Sequence, residues 1–410
     1  MPRAANRPPE QTSLIDCTNA NNFTEVAGAG VTRTTDSSVT YNGAATTRVF
    51  VPAALATNFE IGVNTASVNF PYLTPGAPVP FSIGVILRTD RPARITGGSV
   101  YIGDSSYTNF ATGLMSAISA NDGWQFMLTG ATWTPTGSPT YSGARRTKIR
   151  IMVLAGEDAN VWIAGYVIFA RNRPAFVLTC DDGYDEFYSY LYPACVSRGI
   201  PVSMSIASGL VGQSGHVTAA QCREMQADPS GLVELVNHAR LNDNYNTLGL
   251  AAYMNDVLEC RRFLQSVGAT DSSSCHVYVQ GQFDATLQRA LMDNGFTCAR
   301  EVGASDRSWN RQDMYYNPMR RFALPASCNL EDTQPLATVQ GYINKAIATG
   351  GLFVAMGHRF EAAAGTITWT QADMNSLLDW LALQAKQGLI DLLKMSEIPT
   401  RYVNGVRARD

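Results

Sequence analysis

The sequence predicts a multidomain chain in which an all-β sandwich of jelly-roll type is followed by a β/α barrel. Three observations predict it. The 410 residues exceed an ordinary domain of roughly 100 to 200. Residues 14–172 are rich in Thr, Ser, Gly, Asn and Val, and no stretch keeps a helical period for more than a turn or two. Over 173–410 short apolar runs alternate with helical patterns, which is how a parallel sheet with crossover helices reads.

Residues 1–13 are Pro- and Arg-rich without periodicity and read as a disordered or linking arm. Strand-like runs then recur between turn signals at Thr46–Val51, Phe81–Leu87, Ser99–Ile102, Trp124–Leu128, Lys148–Leu154 and Val161–Phe169. Many short strands at this spacing suggest a sandwich, here a glycan-binding or assembly module. Trp124, Trp133 and Trp162 are expected in its core. All four histidines lie outside this segment, and it holds no carboxylate cluster, so the chemistry is expected in the second half.

There, Ala175–Thr179 is an apolar run, and a helical pattern over Asp185–Arg198 stops at Gly199, the residue that favours a helix C-terminus. A strand near Pro201–Ile206 precedes a helix from Ala219, introduced by the capping-box pattern of Thr218 and Gln221. Strand Leu232–Val236, helix Leu250–Ser266, strand His276–Val279, helix Ala285–Asn294 and strand Phe296–Arg300 follow. Helix Leu336–Thr349, strand Leu352–Met356, a helix after Thr370 and a last strand near Ile390–Leu393 complete the series. This many units in so short a span favour a barrel, whose reactive groups collect where strands end.

Composition narrows the functional classes. With 31 basic and 34 acidic residues the net charge is -3, and no basic run appears, so nucleic acid is not an expected partner. No apolar run approaches the roughly 20 residues that span a bilayer, so no membrane partner is expected either. The eight cysteines are scattered without a CxxC pair and read as reduced, buried thiols. The opening MPRAANRPPEQTS carries arginines but lacks the apolar stretch of a signal peptide, so either a leader has been trimmed or the chain does not use the ordinary export route. The reduced cysteines point to synthesis in a reducing cytoplasm.

Three apolar strands end in polar residues of one chemical kind. The first runs into Asp181-Asp182-Gly183, the third into His238, and Leu352–Gly357 into His358. Adjacent carboxylates repel each other and lose solvation, an arrangement that suits a bound cation or a shared proton. Asp-Asp-Gly alone is also a common turn, and a lone histidine is more often structural; the coincidence of three strand ends is what predicts a site.

The segments LTCDDGYDEF, RGIPVSMSI, ELVNH, GLFVAMGH and IDLLKMSEI carry a family resemblance. Residues from about 174 to 398 resemble the polysaccharide deacetylases of carbohydrate esterase family 4, the NodB-homology fold, a distorted parallel β/α barrel. The resemblance implies that Asp181 is a general base, Asp182 the first metal ligand, His238 the second, and His358 a general acid toward the leaving group. It implies one divalent ion, zinc first, with nickel, cobalt or manganese as alternatives. Asn242 stands where the family has its second metal-binding histidine, and an amide oxygen is a weaker zinc donor than imidazole. Asp243 or a water is an alternative ligand, as are His216 and His276 from elsewhere. The family's third motif is replaced by a run without arginine that contains Gln280 and Gln282, assigned here to substrate. Asp181 must then be oriented by another group, with Arg300, Arg320 and Arg321 as candidates. Tyr184 and Trp309, and less so Trp369, are expected to pack against sugar rings.

The implied activity is metal-dependent hydrolysis of N- or O-linked acetyl groups from a bacterial surface or capsular polysaccharide. The alternative is a non-catalytic glycan-binding protein, an adhesion module on a decayed scaffold. An enzyme for an outer polysaccharide that is made in the cytoplasm and carries free thiols fits a phage tail component, assembled in the host and carried in the virion. Other tail proteins and a homotrimer are then expected partners, and a secreted enzyme is the competing location.

Overall fold

In the strand Gly143–Val153, Thr147, Ile149, Ile151 and Val153 are buried while Lys148, Arg150 and Met152 face the other way. This period of two is what an antiparallel sheet with one covered face demands. The computed structural model describes residues 11–70, 81–104, 106–115, 123–139, 143–170, 174–302, 321–331, 334–349 and 351–399. Residues 1–10 of the expected arm lie outside these, and the chain is already a strand at Gln11. Contacts divide the chain into two compact units, one reaching to Asn172 and one of Arg173–Val403.

The first unit contains β1 (Gln11–Ile15), β2 (Glu25–Ala27), β3 (Thr32–Tyr41), β4 (Ala44–Val51), β5 (Asn58–Phe70) and β6 (Phe81–Thr89). It continues with β7 (Ile95–Gly103), β8 (Phe110–Met115), β9 (Gln125–Thr136), β10 (Gly143–Val153) and β11 (Ala159–Ala170). Their order is β2-β5-β10-β7-β8-β9-β6-β11-β4-β3, with β1 added to β11. Val49, Val85, Leu87, Val161 and Ile163 from one end of this path share a single core with Phe59, Ile61, Val100, Ile149 and Ile151 from the other. Each such side chain contributes about 1.5–3 kcal/mol by leaving water.

Of the three tryptophans expected in that core, only Trp133 is buried there. Trp124 is half-buried, edge-on to Tyr41 at 5.2 Å between ring centroids. Trp162 contradicts the expectation: it stands between buried Val161 and Ile163, so the period of two turns it to the opposite, solvent-facing side of β11, where it is half-buried.

The second unit alternates β12 (Ala175–Cys180), α1 (Tyr192–Val196), β13 (Val202–Ile206), α2 (Ala219–Gln226) and β14 (Val233–Asn237). α3 (Tyr245–Leu248), α4 (Leu250–Ser266), β15 (Cys275–Val277), α5 (Ala285–Asp293), β16 (Cys298–Arg300) and β17 (Cys328–Leu330) follow. The chain then forms α6 (Leu336–Thr349), β18 (Leu352–Gly357), β19 (Arg359–Glu361), β20 (Thr368–Thr370), α7 (Gln371–Lys386) and β21 (Asp391–Leu393). Every residue of β12, β13, β14 and β18 is buried, as in a sheet covered on both faces. Thr218 and Gln221 form the expected capping box, and Thr370 caps α7 through the Asp373 amide. The expected helix from Asp185 instead opens as a π-turn over Phe187–Leu191 before α1, where Pro193 has no N–H to extend an α-helical ladder. No helix among the described residues is long and apolar enough to cross a membrane.

The strand order β16-β15-β14-β13-β12-β18-β17 is an open path among the described residues, a curled parallel half-barrel rather than a closed ring. Its distortion has a local cause. β18 pairs with β12 over all six residues, but the opposite edge of β12 is shared: β21 takes Ala175–Val177, and β13 takes only Thr179 and Cys180. The strands therefore converge at their C-terminal ends, where the polar residues begin.

Candidate active site

The register of β12 against β18 ends at Cys180 opposite Gly357, so Asp181 and His358 leave neighbouring strand ends together. The Asp181 amide continues the ladder, donating to the Gly357 carbonyl at 2.8 Å. Asp182 then turns into the left-handed region, φ 69°, followed by Gly183 at φ 79°. This kink sends the two adjacent carboxylates to different partners.

Asp181 is buried and points at Arg300, which rises from the end of β16. Arg300 Nη2 donates to Oδ1 at 2.5 Å and also contacts Oδ2, while Ser205 Oγ of β13 donates to Oδ1 at 2.9 Å. Burial opposes ionisation, but Arg300, with His238 and His358, outweighs it and holds the carboxyl down at about 2. Of the three arginines proposed to orient Asp181, Arg300 does so. Arg321 instead lies over the Phe322 ring, and Arg320 is outside the described residues.

Asp182 Oδ1 lies 3.2 Å from His238 Nε2. His238 Nδ1 is 2.9 Å from the Val277 carbonyl, which only accepts, so that nitrogen carries a proton and donates. In a neutral His238, Nε2 is then a lone pair facing a carboxylate oxygen. Two acceptors at that distance require a proton or a cation between them. Burial depresses the basicity of His238, and Asp182 more than restores it, so its pKa is raised; the Asp182 carboxyl is correspondingly lowered against its burial. These donors fit a divalent ion, and Asp182 and His238 are the residues that would hold it. Among the described residues no group of three His, Cys, Asp or Glu side chains gathers to complete such a site. Asn242 is half-buried in the loop before α3, with φ 59°.

His358 has a partner that the sequence reading did not include. Its Nδ1 is 3.5 Å from Glu331 Oε2, an ion-pair distance rather than a full hydrogen bond. Asn329 Nδ2 steadies the other Glu331 oxygen at 3.1 Å. Burial lowers the His358 pKa, but Glu331, with Asp181 and Asp182, outweighs it and raises the value from that of an ordinary histidine. Glu331 follows β17, a run of only three residues, too short to read as a strand.

The substitute ligands separate clearly. His276 is fully buried, with Nδ1 3.2 Å from Asn237 Oδ1 and Nε2 3.1 Å from the Tyr253 hydroxyl, so neither nitrogen is available to a metal. Burial pushes its pKa well down, keeping it neutral. It is a core histidine that ties β15 to β14 and α4. His216 stacks on Tyr184 at 5.0 Å, and the Arg359 guanidinium lies 5.2 Å from the same Tyr184 ring. Tyr184 thus sits at the rim, two residues after Asp182. Gln280 and Gln282 accept from Asn244 and Asn246 through their side-chain oxygens, at 2.8 and 2.5 Å, and so brace the loop that follows Asn242. Trp369 is buried, its indole donating to the Gln334 carbonyl at 2.9 Å, and closes the core. Trp309 lies outside the described residues.

No family model and no curated protein matches the chain. Among solved structures it is similar to a deacetylase of Streptococcus pyogenes in complex with acetate, at 16% identity and a TM-score of 0.29. That likeness covers 31% of this chain and 55% of the streptococcal one, so the chain spans about half of that relative. It is similar to a family 4 carbohydrate esterase from Streptomyces lividans in complex with acetate, at 16% identity, TM-score 0.35, and 54% and 92% coverage of the two chains. A family 4 acetyl xylan esterase from Clostridium thermocellum in complex with a cobalt ion is similar at 14% identity, TM-score 0.34, and 55% and 90% coverage. The structural neighbours are thus deacetylases and carbohydrate esterases, at low identity and partial coverage.

Proposed function

We propose that the second unit hydrolyses acetyl groups, N- or O-linked, from an acetylated bacterial polysaccharide. The observation that carries this reading is the opposed pair at adjacent strand ends: Asp181, held ionised by Arg300, and His358, whose protonated form Glu331 favours. In the reaction a water oxygen bonds to the acetyl carbon and gives its proton to Asp181. His358 protonates the departing sugar oxygen or nitrogen as its bond to the acyl carbon breaks, releasing acetate. Asp182 and His238, with Asn242 as a further ligand, would hold a divalent ion, zinc first, which would supply Lewis acidity there when bound. Tyr184, at the rim, would meet the sugar.

Arg300 also favours a second reading. A carboxylate gripped at both oxygens is a weak base, which suits a barrel that recognises sugar without cutting it. Acetate release from acetylated surface polysaccharides, with and without chelator and in Asp181→Asn, decides between them. Chelator-sensitive release that vanishes in the variant supports the hydrolase; retained glycan binding without release supports the adhesion module.

For the first unit, whose two strand groups share one core, we propose a jelly-roll sandwich serving as a glycan-binding or assembly module. We further propose that the protein is a phage tail component, trimeric and joined to other tail proteins. The eight cysteines, all free and buried, support maturation in a reducing cytoplasm.

A further inference from the structure

The solvent face around β11 holds a cluster that the hydrolytic chemistry does not use. In the ladder Trp162 lies opposite Arg48 of β4 on one side and Arg88 of β6 on the other. Its indole N–H reaches across β4 to Asp36 of β3, donating at 2.9 Å. Asp36 is itself fixed, accepting from the Ser38 amide at 2.8 Å, the Ser38 hydroxyl at 2.6 Å and the Val39 amide at 3.3 Å. The ring is therefore pinned at its polar end, and the Arg88 guanidinium lies 6.0 Å from its centroid.

A large aromatic on the solvent side of a sheet, with its rotamer locked, presents a rigid apolar plate at little entropic cost on binding. Sugar rings pack their C–H faces on such plates. Charge selects among sugars. Arg48 is exposed and makes no ion pair among the described residues, while the Asp36 carboxylate is already engaged by four donors. The cluster therefore offers a guanidinium fork beside an apolar plate, complementary to a ring that bears a carboxylate.

We propose that Trp162, Arg48 and Arg88 form a binding site for hexuronate residues of an acidic glycan. The sugar ring lies on the indole, and its carboxylate pairs with Arg48. The proposal rests on the hydrolase reading only for the choice of a saccharide over other anions.

Isothermal titration of the full chain with hexagalacturonate, cellohexaose and a six-base oligothymidylate tests it. Hexagalacturonate should bind, more weakly at about 0.3 M salt. Trp162→Ala and Arg48→Gln should each weaken it by about tenfold, and Trp162→Phe, which keeps an aromatic plate but loses the bond to Asp36, should fall between the native chain and Trp162→Ala. Equal binding of cellohexaose, preferential binding of the oligothymidylate, or unchanged affinity in Trp162→Ala would overturn the proposal. Acetate release is measured in parallel on a short acetylated oligosaccharide. Release without hexagalacturonate binding removes this site and leaves the hydrolase; binding without release does the reverse.

Discussion

Arg300 and Asp181, 119 residues apart in sequence, meet as an ion pair whose side chains are 0% and 4% exposed. Removing one partner of such a pair strands the other charge. Arg300→Met should cost about 3–5 kcal/mol in chemical denaturation, and adding Asp181→Asn should recover part of that loss. Because the folded Asp181 value, about 2, lies below the ordinary carboxylate range, the pair stabilises above about pH 4. That contribution disappears as pH falls through about 2. In Arg300→Met the acid limb should move upward; an unmoved limb would mean that Asp181 is not the titrating group.

The pairing of Asp182 with His238 leaves room for a stronger third donor. Asn242→His should raise zinc affinity by about tenfold or more, while His238→Gln should weaken it by a similar factor. Competition against a chromogenic chelator reads both. Unchanged affinity in Asn242→His would place position 242 outside the coordination sphere.

Glu331 favours the protonated form of His358 against the effect of burial. Glu331→Gln should therefore lower the His358 pKa and shift the basic limb of acetate release to lower pH, with the acid limb unmoved. A profile whose basic limb stays in place would assign the proton donor elsewhere.

Glu234 offers a pH effect away from the site. Burial raises its pKa, and the hydrogen bonds from Ser203 and Ser396 offset this only in part. The folded state thus holds the Glu234 proton more tightly than the unfolded chain. Its contribution to stability is complete below the ordinary glutamate value and is lost as pH rises through the raised one. Thermal melts of Glu234→Gln should show a flatter decline from about pH 4.5 upward. A decline as steep as that of the native chain would exclude this residue.

What could be read in advance followed the range of the interactions. Helix α4 and the Thr218 cap rest on neighbours within a few residues and were legible as local pattern. Asp181, Asp182, His238 and His358 were legible because an apolar strand announces its polar end. Glu331 was not, because β17 spans three residues and gains its identity only from pairing with β18. The side of β11 that Trp162 occupies was equally hidden: alternation gives two faces but not which one the core covers. His276 stood only as a substitute ligand in one dimension and is a buried hydrogen-bonded side chain in three.

The left-handed backbone at Asp182 has a genetic corollary. Few residues other than glycine tolerate that conformation, and asparagine is one of them. Asparagine is also one nucleotide from aspartate in the code, so one substitution can silence the carboxylate at position 182 without disturbing the turn. Position 242 allows the opposite step, since asparagine and histidine codons also differ by one base. Under the hydrolase reading, a lineage carrying this fold can therefore pass between cutting and holding a glycan by point mutation, with the fold as a constant.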